Sequence, residues 1–183
     1  GENPSMHPGA GGMRVSYRLE QDRSPTSGLS FATNLVNVFI ESDHTSDYAS
    51  SDEIEISRDL SGNVKRATLS FPLNLPKRTS VVSANINLKS YGSTSTVDIF
   101  NAIPIDSIDA DNLGTLYNYP KTQNDSIIAM FRPGVVSDSS LISIDVTSTI
   151  ISFLAEVGHL PGYVKAVVIE PDETATTSFS FYL

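Results

Sequence analysis

The sequence predicts an all-β chain, an antiparallel β-sandwich or jelly roll of about ten strands with one short helix near residues 148–157. Three observations carry this. Apolar and polar residues alternate with period two in segment after segment, which sends one face of each strand inward. Clusters of Gly, Pro, Ser and Asn separate these segments at the short, even spacing of sandwiches. A single stretch has helical spacing instead.

The alternation begins at Val15, Tyr17 and Leu19 against Arg14, Ser16 and Arg18. Arg23–Gly28 reads as a turn or linker, Leu35–Ile40 as a second apolar run, and 41–52 as a polar loop. Ile54 and Ile56 alternate with acids, and the Ser-Gly-Asn turn near Leu60–Asn63 leads to Ala67, Leu69 and Phe71. The longest alternation is Val82, Ala84, Ile86 and Leu88, followed across a Gly/Ser/Thr turn by Val97 and Ile99. Ile127–Phe131, Leu141–Val146, Tyr163–Ile169 and Thr177–Leu183 complete the strands. The expected inner face includes Leu69, Phe71, Ile86, Leu88, Val97, Ile99, Ile144 and Val146. Ile150, Ile151, Leu154 and Val157 have helical spacing, with Ser148 able to cap the start and Gly158 the end. The Asp145 carboxylate can accept from N–H groups at that helix start.

Length and composition bound the function. A chain of 183 residues suits one domain and needs no staple. With no cysteine, disulfides, thiolate metal sites and Cys nucleophiles are excluded. A net charge of −9 argues against nucleic acid, whose affinity rests on neutralising phosphates. No run approaches the length of a membrane-spanning helix, so no membrane insertion is expected. Ser and Thr number 41 against 18% charged residues, a hydroxyl-rich surface that suits an extracellular or virion setting.

Four blocks carry a resemblance. VFIES…DYASSDEIEI (Val38–Ile56), KRATLSFPLNLP (Lys65–Pro76), VVSANINLKSYGSTSTVDIF (Val81–Phe100) and SIDVTSTIISFL (Ser143–Leu154) follow one another in order. Together they resemble the DNRLRE-type domain, a β-sandwich of bacterial and archaeal surface proteins related to a carbohydrate-binding-module family. Phe153 stands where that family's signature has Trp, and Ala49 where its loop has Gly. The resemblance implies a sandwich over 37–183. The Gly- and Pro-rich start and the strand after it are left outside, so residues 1–36 are expected to be an N-terminal arm with one strand. Its apolar face (Val15, Tyr17, Leu19) would dock on a neighbouring subunit.

Catalysis has little to stand on. His7, His44 and His159 lie in unrelated contexts, and neither a zinc-binding HExxH nor a GxSxG elbow occurs. Composition leaves carboxylate-pair hydrolysis open, but Asp98, Asp145 and Glu170 lie within or beside strands, and Asp145 has the structural role given above. No cofactor is expected. The weak metal candidates are Asp106, Asp109, Asp111 and Asn112, an oxygen-rich run suited to calcium. Counted from Asp109, however, the EF-hand pattern fails at Leu113 and Pro120. A second acidic cluster runs from Glu41 to Glu55, and Lys65-Arg66 and Lys77-Arg78 form two basic pairs. Tyr48, Tyr91, Tyr117 and Tyr119 lie in loops or at strand ends, where an aromatic face can stack on a sugar ring. The expectation is a non-catalytic structural or assembly subunit, homo-oligomeric or set among other structural subunits. The alternative is a carbohydrate-binding module for a polysaccharide.

Overall fold

The structure, a computed structural model, describes residues 12–19, 27–31, 35–40, 45–48, 52–76, 78–105, 129–157 and 164–182. They form fourteen strands and one helix, an antiparallel sandwich with more strands than the ten expected because several are only three to five residues long. The small sheet has the order β12 (Leu141–Asp145), β7 (Thr79–Lys89), β1 (Gly12–Leu19) and β2 (Ser27–Phe31). The large sheet runs β10 (Ala129–Phe131), β9 (Phe100–Ile105), β13 (Val164–Pro171), β6 (Val64–Pro72), β3 (Leu35–Ile40) and β4 (Thr45–Tyr48). At its start β6 also pairs β5 (Glu53–Arg58), which pairs β14 (Phe179–Tyr182). A bridge from Phe181 to Ser90, just past β7, closes that corner back toward the small sheet. β8 (Thr94–Thr96) and β11 (Gly134–Val136) form a separate ribbon.

Between the two sheets the alternation expresses itself as a core. Met13 and Val15, Ala84, Ile86 and Leu88, and Ile142 and Ile144 face inward from the small sheet. Ala67, Leu69 and Phe71, with Val167, Ile169, Phe100 and Ala102, meet them from the large one. Phe100 packs against Phe131 and Phe179 at 5.8 and 5.9 Å, and Phe181 stacks on Phe179 at 6.2 Å. Each such buried side chain contributes about 1.5–3 kcal/mol. The helix, α1 (Thr147–Val157), covers one end and buries Ile150 and Leu154. The Val146 carbonyl accepts the first helical bond, from Ile150 N–H, so the helix starts one residue before Ser148. Asp145 accepts from the Thr147 N–H at 2.9 Å, as the sequence implies. The Leu60–Asn63 turn is also as expected. Asp59 accepts from the N–H groups of Ser61 and Asn63, and Gly62 takes the positive φ of 85° that closes the hairpin.

Three expectations are corrected. The strand 12–19 is no detached arm. β1 lies between β7 and β2, and Val15 is 0% exposed within its own sandwich. A bulge between Ser16 and Tyr17 leaves Tyr17 half-buried against the core and Leu19 at the surface. Val15 therefore satisfies its apolar demand inside the chain, and the proposed boundary at 37 falls inside β3. Residues 1–11 lie outside the described residues. Second, Val97 is 81% exposed and Ile99 only half-buried. β8 stops at Thr96, which is the buried position, and at the surface beyond it the Asp98 carboxylate accepts from the N–H groups of Thr176 and Thr177 at 3.0 and 2.8 Å. That contact inverts the local parity and turns Val97 out. Third, the predicted turn at 23–28 and polar loop at 41–52 contain the starts of β2 and all of β4, polar strands that the alternation does not reveal. No helix among the described residues is long and apolar enough to cross a membrane.

Candidate functional site

The outer face of the small sheet is a grid of amides, hydroxyls and cations. Along β7, Ser83, Asn85, Asn87 and Lys89 alternate with the buried Ala84, Ile86 and Leu88, so they share the outward face. The register sets their neighbours. Asn85 lies between Arg14 of β1 and Asp145 of β12, and Arg14 lies next to Ser30 of β2. Asn87 lies between Gly12 and Ser143, so glycine leaves open space on one flank. Lys89 faces Leu141. Asn is depleted in strand interiors because it packs poorly on a pleated surface. Two of them two residues apart, about 7 Å along the strand, place donors and acceptors in a row at the centre of an open face.

The row ends on two tyrosines. Lys89 Nζ lies 5.8 Å from the Tyr182 ring centre, and the Tyr182 ring is tilted against Tyr91 at 4.7 Å. Tyr91 is 39% exposed. The pair is held where β14 meets the end of β7. Tyr91 N–H donates to the Ser180 carbonyl at 2.9 Å, and Gly92 takes a positive φ of 74° to make the turn. Asp138 ties the patch together, accepting from Gly92 N–H at 2.7 Å and from the Tyr182 hydroxyl at 2.9 Å. These bonds favour the ionised carboxylate, so the Gly92 N–H first and the Tyr182 hydroxyl second hold Asp138 below its ordinary range. The same bond keeps the Tyr182 phenol protonated to higher pH than usual.

The other carboxylates with shifted titration serve the backbone. Asp98 is held low by the Thr177 hydroxyl and Thr176 N–H, Asp145 by Thr147, Asp172 by Thr174, and Asp59 by Asn63. Glu170 is the exception. On the outer face of the large sheet it pairs Arg66 at 3.4 Å, and burial raises its pKa in spite of that cation. Among the described residues no cluster of three metal-ligating side chains occurs.

Of the tyrosines singled out by sequence, Tyr91 is in this patch. Tyr48 lies on β4 opposite Asn37, with its side chain outside the described residues. Tyr117 and Tyr119, the acidic run Asp106, Asp109, Asp111 and Asn112, and the three histidines all lie outside the described residues. Within the second acidic cluster, Glu55 pairs Lys65 at 3.2 Å on the surface. The basic pair Lys65-Arg66 is thus split, one side chain to each face. Sequence reasoning missed Tyr182, Asp138, Lys89, Asn85, Asn87 and Arg14. The strand asparagines carried a local signal in their poor strand propensity; the Tyr91–Tyr182 contact, spanning half the chain, carried none.

Compared with known proteins, the chain matches no family model and no curated protein sequence.

Proposed function

We propose that this chain is a non-catalytic carbohydrate-binding module whose platform is the outer face of the small sheet. The observation that carries the reading is the row Asn85, Asn87 and Lys89 leading to the exposed Tyr91 and the half-buried Tyr182. Sugars are bound by amides that both donate and accept, and by aromatic rings that stack on the apolar side of a pyranose. A flat strand face presents such groups at intervals along an extended polymer. The resemblance of the four blocks to the DNRLRE-type domain supports the same class, and the hydroxyl-rich composition supports an extracellular or virion-surface setting. The non-catalytic part rests on the carboxylates. Among the described residues Asp98, Asp138, Asp145 and Asp172 are engaged in closing turns, and Glu170, whose pKa burial raises, is paired with Arg66 on the outer face of the large sheet, away from the platform.

The test is retardation of the chain in native gels cast with soluble polysaccharides, neutral and uronate-bearing. Retardation by at least one, lost in Tyr91→Ala and weakened in Asn87→Ala with unchanged melting temperature, is the expected result. No retardation by any, or retardation indifferent to both substitutions, overturns the platform. The structural-assembly reading remains as the second proposal, favoured by the edge of the small sheet.

A further inference from the structure

β2 is the edge of the small sheet, hydrogen-bonded among the described residues to β1 alone. Its sequence, Ser-Gly-Leu-Ser-Phe, has no charge and no proline. Strand edges in stable monomers are guarded by lysine, proline, bulges or a cover, because an open edge is a template for another strand. The opposite edge is guarded, since β12 ends on the ionised Asp145 and runs into α1. Gly28 shows that the β2 edge is open. It is exposed, and with no side chain that exposure belongs to the backbone. Its outer face is covered by the Arg14 guanidinium, which a Cβ on Gly28 would meet at 2.5 Å, so the exposed part is the flank where hydrogen bonds form. Leu29, on the inward face, packs against the core while staying partly exposed.

We infer that the β2 edge receives a second copy of this chain, β2 against β2 in antiparallel register about Leu29. Two features favour a copy over an unrelated strand. The edge is self-complementary, since an uncharged five-residue strand places no like charges opposite one another. Pairing finishes the burial of Leu29 on both copies at once. The interface falls in the small, transient class, so the dimer is reversible and appears in the range of about 10 µM to 1 mM. An antiparallel two-fold stands perpendicular to the sheet. The two small sheets therefore join as eight strands with both outer faces on the same side, and the two β7 rows lie about 24 Å apart, five strand spacings. A polymeric glycan can reach both. The pairing stands on the edge alone, and only this last consequence rests on the platform reading.

The experiment is sedimentation equilibrium of the full chain over a concentration series without glycan, with amide exchange read at Ser27–Phe31. We expect a reversible dimer, strengthened by salt that screens the net negative charge, with β2 amides protected only at high concentration. Ser30→Lys and Ser27→Lys, both on exposed positions, should be monomeric and folded, whereas Ser143→Lys on the other edge should still dimerise. Two results overturn the inference. One is a monomer at every concentration, including one whose β2 amides are already protected when dilute. The other is a dimer that survives both β2 lysines or is lost equally in Ser143→Lys. With the dimer in hand, a polymeric glycan should bind about 100-fold more tightly than a short oligomer, and Ser30→Lys should erase the difference. A dimer that binds no glycan at all refutes the platform and leaves the pairing standing.

Discussion

On the small sheet, the side chains turned away from the core stand in solvent: Arg14, Ser16, Asn85, Asn87, Lys89 and Ser143 are exposed or half-exposed. On the large sheet, most of the equivalent positions among the described residues are buried, the exposed Met130 at the β10 edge excepted. Arg66, Thr68 and Ser70 of β6, Asn101 and Ile103 of β9 and Val168 of β13 are all buried, although four of the six are polar. Register explains how this face accommodates its buried charge, though the Thr68 hydroxyl and the Asn101 side-chain oxygen stay buried without a hydrogen-bond partner. Ile103, Val168 and Thr68 form one cross-strand row, and in the next Glu170 faces Asn101 and lies beside Arg66, 3.4 Å from its guanidinium. A buried charge is tolerated only when paired. The lesson is that composition does not tell the two faces apart. Both are rich in hydroxyls, amides and single cations, yet one stands in solvent and the other is largely buried.

That contrast can be broken first at its most expensive point. Arg66→Met leaves Glu170 buried without its cation and should cost about 3–5 kcal/mol in urea unfolding, while Arg66→Met with Glu170→Leu should recover much of the loss. Leu88→Ala, in the core between the faces, should cost about 2–5 kcal/mol by the same measurement. Asn87→Ala, on the solvated face, should stay within about 0.5 kcal/mol and show its effect in glycan retardation instead. If Asn87→Ala proves as destabilising as Arg66→Met, the two faces do not differ in the way described.

The pH dependence sharpens the same comparison, because the two kinds of carboxylate carry opposite signs. Asp98 is held below its ordinary 3.8 by hydrogen bonds to the ionised form. Its contribution is therefore complete above that value and is lost as pH falls through the folded-state pKa. Glu170 is raised above its ordinary 4.5 by burial, so the folded state holds its proton more tightly. Its contribution is complete below 4.5 and is lost as pH rises through the raised value. In thermal unfolding across this range, Asp98→Asn should flatten the acid limb of the stability curve. Glu170→Gln should remove the decline on the higher-pH side. A small effect is expected at α1, where Asp145→Ala should cost about 0.5–1 kcal/mol through the lost helix-start bonds to Thr147.

Local chemistry made part of this molecule readable from residues alone. Leu69, Phe71, Ile86, Leu88 and Ile144 alternate with polar neighbours, and strand geometry obliges alternate side chains to opposite faces, so their burial follows. The Asp59–Asn63 turn and the Asp145 bond to Thr147 depend on partners within four residues and were equally legible. What alternation leaves open is which surface takes the apolar face. Val15 would be satisfied by a neighbouring subunit or by its own sandwich, and only the pairing of β1 between β7 and β2 chose the latter. For the same reason Arg66 and Lys65, adjacent in sequence, met different fates, and Val97 turned outward once Asp98 bound the 176–177 turn. Tyr91 met Tyr182 because β14 returns to the end of β7. Each of these outcomes was decided by strand order and by contacts between residues far apart in the chain. Such contacts exist only after the sheets have formed, because backbone pairing and burial are properties of neighbours in space.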